Sequence, residues 1–287
     1  MKKIFAAVSF CAIYFFSSAQ TELENTLLWQ ITGPGITKPS YLYGTIHLMC
    51  PDEIKVSDTL RARFYQTKKL FLEINLDDPS VMAKTMQQMQ MKGDTTLMQL
   101  LPASTYDSLA VEFKKLTGMS LSMMNNMKPE LLESLIYPSL LGCKGAEAWE
   151  QKFEQLAQAN NMEINGLEDV DDQIKIFDEI PYKDQAEELA ETLNNIDSTK
   201  QSFNRLLQLY KEKNLSALCK MLNEDSDLSQ YNDILLNNRN KKWIPEIIKQ
   251  AKLEPSFFAV GAGHLGNANG LINLLIQQGY TVSPVNY

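Results

Sequence analysis

Histidine is nearly absent from this chain: His47 and His264 are the only two in 287 residues. Any imidazole chemistry must therefore use one or both of them. Basic charge is also short, with 27 Lys and Arg against 35 Asp and Glu and a formal net charge of -8. No basic stripe runs along the sequence, and nucleic-acid binding, which needs the opposite field, is excluded. Long apolar runs are missing beyond the N-terminus. The one run present, Ile4 to Phe16, is shorter than the roughly 18–20 residues a membrane-spanning helix needs. No membrane span is expected in the mature chain. Long linkers, low-complexity tracts and tandem repeats are lacking too, which favours a single domain.

The N-terminus reads as a leader. Lys2 and Lys3 precede the apolar run, and Ser17-Ser18-Ala19 supplies small residues for cleavage. The pattern predicts a cleavable signal peptide over residues 1–19 and a periplasmic or extracellular protein of residues 20–287. Cys11 goes with the leader, because Phe10 before it is too bulky for a lipoprotein site. Cys50, Cys143 and Cys219 remain, enough for one disulfide in an oxidising compartment. Cys143 with Cys219 is the expected pair, since both lie in helical stretches with no other evident role.

Alternating and apolar patterns give the architecture. Leu27 to Ile31 and Tyr41 to Thr45 read as strands joined by the turn signal Gly33-Pro34-Gly35, a hairpin. Lys55 to Lys69 reads as a helix and Lys69 to Ile74 as a buried strand. Residues 79–160 are largely helical, with methionines (Met82, Met86, Met89, Met91, Met119, Met123, Met124, Met127) expected as flexible filler on apolar helix faces or a groove. A short strand follows over Met162 to Glu168, then a charged helical stretch over 170–252. The acidic residues from Glu163 to Glu191 lack calcium-loop spacing. Ser256 to Val260 is a strand, Asn269 to Gln278 a helix, and Tyr280 to Val282 a last strand. The expected fold is α/β: a mixed central sheet with flanking helices, and a helical insertion (about 79–160 and 170–252) between two halves.

Each half repeats one small plan. An apolar strand runs into Gly44-Thr45-Ile46-His47 near the start and into Gly261-Ala262-Gly263-His264 near the end. Gly44 and Gly261 let the backbone turn or a ligand approach closely. A histidine three residues on is then presented at a strand's carboxyl edge, where α/β sheets build their sites. Imidazole is the commonest transition-metal ligand and a natural acid–base group. Two imidazoles need a carboxylate beside them. Glu73, in the apolar stretch Leu70-Phe71-Leu72-Glu73-Ile74, is costly to bury unless a metal or Arg239 neutralises it. Glu168, after Gly166, is a second such carboxylate.

These residues resemble the TraB/PrgY/GumN family, which includes the Tiki metalloproteases. The resemblance rests on Leu27-Leu28-Trp29-Gln30-Ile31, Gly44-Thr45-Ile46-His47, Leu72-Glu73, Gly166-Leu167-Glu168, Arg239-Asn240-x-x-Trp243 and Gly261-Ala262-Gly263-His264, in that order. It implies an α/β fold whose two Gly-x-x-His motifs and a glutamate form a metal-dependent hydrolytic site. Position by position, His47, Glu73 and His264 fall on the family's histidine–glutamate–histidine set, and Arg239 and Asn240 on its Arg-Asn pair. Glu168 and Gln173 resemble its Gly-Leu-Glu-x-x-x-x-Gln element. Two departures are Cys50, one turn beyond His47, and Glu147, where an aspartate is commoner.

The expected activity is that of an exported metal-dependent hydrolase, a Tiki-like peptidase acting on peptide or protein substrates. His47, His264 and Glu73 would hold one divalent ion. The resemblance favours manganese or cobalt, and a mixed N/O donor set also suits zinc. Glu73 or Glu168 would act as general base, with Arg239 at the oxyanion and Asn240 beside it. The alternative is a non-catalytic exported protein that binds a peptide or small signal in the same pocket. If His47, His264 and Glu73 converge within roughly 4–6 Å of one point, the site reading stands.

Overall fold

A computed structural model describes residues 23–75, 79–224 and 230–287. The expected leader, residues 1–19, lies outside them. The chain runs β1 (Leu28–Thr32), β2 (Ser40–Thr45), α1 (Asp58–Tyr65), β3 (Lys69–Leu72), α2 (Pro79–Gln88), α3 (Leu97–Leu100), α4 (Ala103–Thr117), α5 (Pro129–Ser134) and α6 (Tyr137–Leu140). It continues through α7 (Trp149–Ala159), β4 (Glu163–Gly166), α8 (Val170–Glu179), α9 (Tyr182–Asn194), α10 (Ile196–Lys211), α11 (Leu215–Glu224), α12 (Asn238–Leu253), β5 (Ser256–Gly261), α13 (Leu271–Gln277) and β6 (Thr281–Pro284).

Six strands form one mixed sheet in the order β4-β3-β5-β2-β1-β6. β4, β3, β5 and β2 are mutually parallel, while β1 pairs antiparallel with β2 and with β6. The hairpin expected from Gly33-Pro34-Gly35 is β1–β2. The central strands are mostly apolar, with polar residues at their ends, because both of their faces are covered. Every residue of β2 is buried, as is every residue of β5 up to Gly261. The edge strands β4 and β6 are half-exposed.

Two apolar cores hold the molecule. The larger surrounds the sheet and includes Trp149, Phe153 and Ala157 of α7 and Trp243, Ile247 and Ala251 of α12. Both helices thus flank the sheet. The smaller core lies among α3, α4, α5 and α9, with Leu97, Leu109, Phe113, Leu132, Ile136 and Leu189 fully shielded from water. Helices before and after β4 therefore close on each other to make one helical layer. The methionines divide: Met91 is buried in this core and Met124 and Met127 pack against it, while Met82, Met86, Met119 and Met123 stand exposed.

The disulfide differs from expectation. Cys50 bonds Cys143, and Cys219 is a buried thiol outside the disulfide. A two-residue ladder explains the pairing: Met49 and Glu147 exchange backbone hydrogen bonds at 2.9 and 3.0 Å, bringing the segments that carry Cys50 and Cys143 together. Cys219 faces elsewhere, close to Gly266 and the Ala262 carbonyl.

Candidate active site

Parallel pairing places four strand ends at one edge, where strands give way to turns and backbone no longer fills the space. In spatial order, Glu168 follows β4 by two residues, Glu73 follows β3 directly, Gly261 ends β5 ahead of His264, and His47 follows β2 by two. The β3 and β4 tails stay paired past the strands, through Leu167 N–H to Leu72 O (2.8 Å) and Glu168 N–H to Glu73 O (3.0 Å). That register sets the two carboxylates side by side.

Gly261 marks where the groups converge. A methyl carbon built there would lie 3.2 Å from Glu73 Oε1, 3.6 Å from His264 Cδ2 and 3.7 Å from His47 Nε2. Both histidines and the glutamate thus surround one small volume. Gly44 serves the scaffold instead: a methyl there would meet Ala262 Cβ at 3.0 Å and its Cα at 3.1 Å. Its absence lets β2 pack against the turn that carries His264.

Each imidazole is oriented through Nδ1. His264 Nδ1 lies 2.6 Å from Asn240 Oδ1, and the Asn240 amide donates to the carbonyls of His264 (3.3 Å) and Asn269 (2.8 Å). The proton therefore belongs on Nδ1, and Nε2 keeps its lone pair. Burial pushes the His264 pKa down to about 3; Arg239 and His47 add to this and Glu73 opposes it. The ring is neutral. His47 Nδ1 lies 3.0 Å from Glu150 Oε1. The Glu150 carboxylate raises the His47 pKa to about 9 against the cost of burial. With 68% of the side chain exposed, water screens part of that pull.

Arg239 ties the carboxylates together. Its Nη2 donates to Glu73 Oε2 at 2.5 Å and to Glu168 Oε1 at 2.6 Å, and its Nε donates to Glu168 at 3.1 and 3.3 Å. Its Nη1 reaches the Leu235 carbonyl at 3.0 Å and His264 Nε2 at 3.1 Å. All five guanidinium hydrogens are engaged. Helix α12 aims them, because Arg239, Asn240 and Trp243 share one face at i, i+1 and i+4. The Trp243 indole donates to Glu168 Oε2 at 3.2 Å, and its ring lies 4.5 Å from the His264 ring and 4.7 Å from the Arg239 guanidinium carbon.

Burial opposes the charge on Glu73, but the adjoining imidazoles, Arg239 and the Gly261 N–H (2.7 Å) hold it well below the usual carboxylate range. Gln173 adds a longer contact to Oε2 at 3.4 Å. Glu168 sits behind Arg239 with 1% of its side chain exposed, and burial raises its pKa. It aligns the guanidinium and does not line the cavity.

Sequence reasoning missed Glu150. This residue opens α7, is buried, and also accepts from Thr45 Oγ1 of β2. A carboxylate in a helix's first turn is common, and nothing in sequence distance links residues 47 and 150.

The donor set fits a divalent ion in kind. Two imidazoles have their Nδ1 sites satisfied by protein and their Nε2 sites turned to a carboxylate, as metal-ligating histidines are usually arranged. Spacing is another matter: among the described residues, no three His, Cys, Asp or Glu side chains stand close enough to hold a metal ion. Arg239 supplies the positive charge beside Glu73.

A cavity of about 550 Å³ opens over this edge, lined by His47, Glu73, Arg239 and His264 and walled by Ile176, Phe177, Leu206, Leu222 and Leu235. Fold and site together define an α/β protein with a histidine–glutamate–arginine centre at the carboxyl edge of a mixed sheet. Residues 27–284 match the TraB/PrgY/gumN family, and the chain belongs to it. It is 24% identical over 320 aligned positions to metalloprotease TIKI1 of Xenopus tropicalis, covering 90% of this chain and 61% of that protein. It is 21% identical over 326 positions to metalloprotease TIKI1 of Danio rerio, covering 93% and 64%. The chain thus spans less than two thirds of these relatives. A shorter match, 26% over 117 positions, reaches metalloprotease TIKI2 of Danio rerio, covering 36% of this chain and 23% of that protein. No solved structure matches.

Proposed function

We propose that this protein is an exported metal-dependent hydrolase that cleaves peptide or protein substrates at the carboxyl edge of its sheet. The convergence of His47 Nε2, His264 and Glu73 on the space over Gly261 carries the reading, and the metalloprotease relatives support it. His47, His264 and Glu73 are the candidate ligands of a divalent ion, manganese, cobalt or zinc; they stand too far apart here to hold it and would have to draw closer, and the ion when bound would supply Lewis acidity toward a water and a scissile carbonyl. Glu73 is the carboxylate facing the cavity and the candidate proton acceptor. Glu150 and Asn240 fix the two rings through Nδ1, so that each Nε2 stays turned inward. Once His264 Nε2 gives its lone pair elsewhere, one Arg239 Nη1 hydrogen is left to donate to a substrate carbonyl oxygen. Ile176, Phe177, Leu206, Leu222 and Leu235 set an apolar wall beside the reacting groups. Among the described residues no helix is long and apolar enough to cross a membrane.

The closed contact of Arg239 with Glu73 supports a second reading, in which the pocket binds a peptide or small signal without turnover. Metal analysis and peptide hydrolysis by the purified protein separate the two. The hydrolase reading expects about one ion per chain and cleavage that His47→Ala and His264→Ala abolish. Equal cleavage by the parent and both variants, or peptide binding without cleavage in the metal-loaded protein, would overturn it.

A further inference from the structure

Arg239 covers the atoms that an ion would need. Asn240 holds the His264 proton on Nδ1, so Nε2 offers a lone pair, and Arg239 Nη1 meets it at 3.1 Å. Arg239 Nη2 donates to Glu73 Oε2 at 2.5 Å, while the other oxygen, Oε1, accepts from the Gly261 N–H at 2.7 Å. Two of the three candidate ligands therefore have their inward atoms on one guanidinium. A divalent ion cannot share a lone pair with a hydrogen-bond donor, and like charges at that spacing repel strongly in a buried site. The ion and the present placement of Arg239 exclude each other.

The guanidinium has other anchors to fall back on. Its Nε donates to Glu168 Oε1 and Oε2 at 3.1 and 3.3 Å, Nη2 to Glu168 Oε1 at 2.6 Å and Nη1 to the Leu235 carbonyl at 3.0 Å, none of them a candidate ligand. Glu73 and His264 can thus be released while these contacts remain. Leu235 lies in a π-helical turn, Asp233–Asn237, just ahead of α12, and such interruptions recur at functional sites. We propose that Arg239 is a latch on the site: a divalent ion displaces it from Glu73 and His264 toward Glu168, so that ion loading and release of the guanidinium are one event. Glu168 is the positioning residue that keeps the displaced charge neutralised. The latch lowers the ion's affinity by the factor needed to open it, and only the loaded site has Nη hydrogens free for a substrate oxygen. This assignment rests on the metal reading of the site and adds an order to it: ion first, substrate second.

The test is a Zn²⁺ titration of the ¹⁵N-labelled protein followed by NMR. His47 and His264 are the chain's only histidines, so imidazole ¹⁵N shifts report the ion at this site alone. The Arg239 Nη–H signals should move with the same midpoint as the imidazole signals, while its Nε–H signal, on Glu168, stays. Arg239→Lys keeps the positive charge, but one ammonium cannot cover Glu73 and His264 together. Calorimetry should show that variant binding Zn²⁺ at least tenfold tighter than the parent, and binding by the variant alone would be the latch at its strongest. Imidazole shifts with the Nη–H signals unmoved, or equal or weaker Zn²⁺ binding by folded Arg239→Lys, would overturn the latch and leave the metal reading standing. If the variant folds poorly, the parent titration decides. Imidazole signals that ignore Zn²⁺ in both proteins overturn the metal reading itself, and the latch falls with it.

Discussion

Glu150 accepts a hydrogen bond from His47 Nδ1 at 3.0 Å across 103 residues of sequence, and the same oxygen accepts from Thr45. The contact raises the His47 pKa to about 9. Glu150→Gln keeps an acceptor for Thr45 but removes the charge. The His47 midpoint, followed by NMR without added metal, should fall by more than one unit toward about 6.5. The sign for stability follows from a folded pKa above the unfolded one. The contribution is full below about 6.5 and is lost as pH rises through about 9. The variant's deficit should therefore be larger at pH 6 than at pH 10, and below about 1 kcal/mol because the ring is open to water. An unchanged midpoint would remove Glu150 from this role.

Arg239 neutralises two buried carboxylates at once. Arg239→Met should cost about 3–5 kcal/mol in urea unfolding at pH 7, because Glu73 and Glu168 are left facing each other uncompensated. Without the guanidinium Glu168, already raised by burial, loses its neutralising partner and Glu73 loses one of the charges that lower it, so the variant regains relative stability as pH falls. The gap to the parent should narrow at pH 4.5. Arg239→Lys should recover little, since a single ammonium cannot reproduce the fork that reaches both glutamates. A gap constant with pH would show that the loss is one of packing, not charge.

The two motif glycines should respond differently to alanine. At Gly44 the new methyl meets Ala262 Cα at 3.1 Å and Leu265 Cδ2 at 3.2 Å, and a packed turn cannot move aside cheaply. Gly44→Ala should lose about 1–3 kcal/mol. At Gly261 the methyl meets only the ends of Glu73, His264 and His47. Gly261→Ala should stay within about 1 kcal/mol of the parent while Mn²⁺ binding and peptide cleavage fall at least tenfold. Equal losses of stability, or an intact site in Gly261→Ala, would contradict this division.

Much of this arrangement was legible because it is local. The strand ends, the two Gly-x-x-His runs and the lone Glu73 after an apolar strand are each visible within seven residues, and strand order then carries them to one edge. Arg239, Asn240 and Trp243 were legible only through the family resemblance, and the structure shows them on one helix, α12. Glu150 was not. It is an ordinary first-turn glutamate, and only packing of α7 on the sheet gives it His47 and Thr45 as partners. The methionines were half legible for the same reason: Met91, Met124 and Met127 meet the helical core as expected, while periodicity marks a face and exposure of Met82 and Met86 depends on what covers it.

The disulfide is where local reasoning failed outright, and it makes a sharp test. Cys143 was paired with Cys219 on helical context, yet the Met49–Glu147 ladder brings Cys50 to it across 93 residues. Peptide mapping without reductant should recover the Cys50 and Cys143 peptides joined and the Cys219 peptide outside any disulfide. Native protein should leave Cys219 unmodified by alkylating reagents, because burial pushes its pKa up to about 11 and the thiolate is the reactive form. Reduction, or Cys50→Ser with Cys143→Ser, should lower stability by about 2–4 kcal/mol, as expected when a long loop is released in the unfolded chain. The loss should fall on the loop after β2 that carries His47 ahead of Cys50. Faster amide exchange there than in β5 is the expected signature, and uniform loosening would count against it.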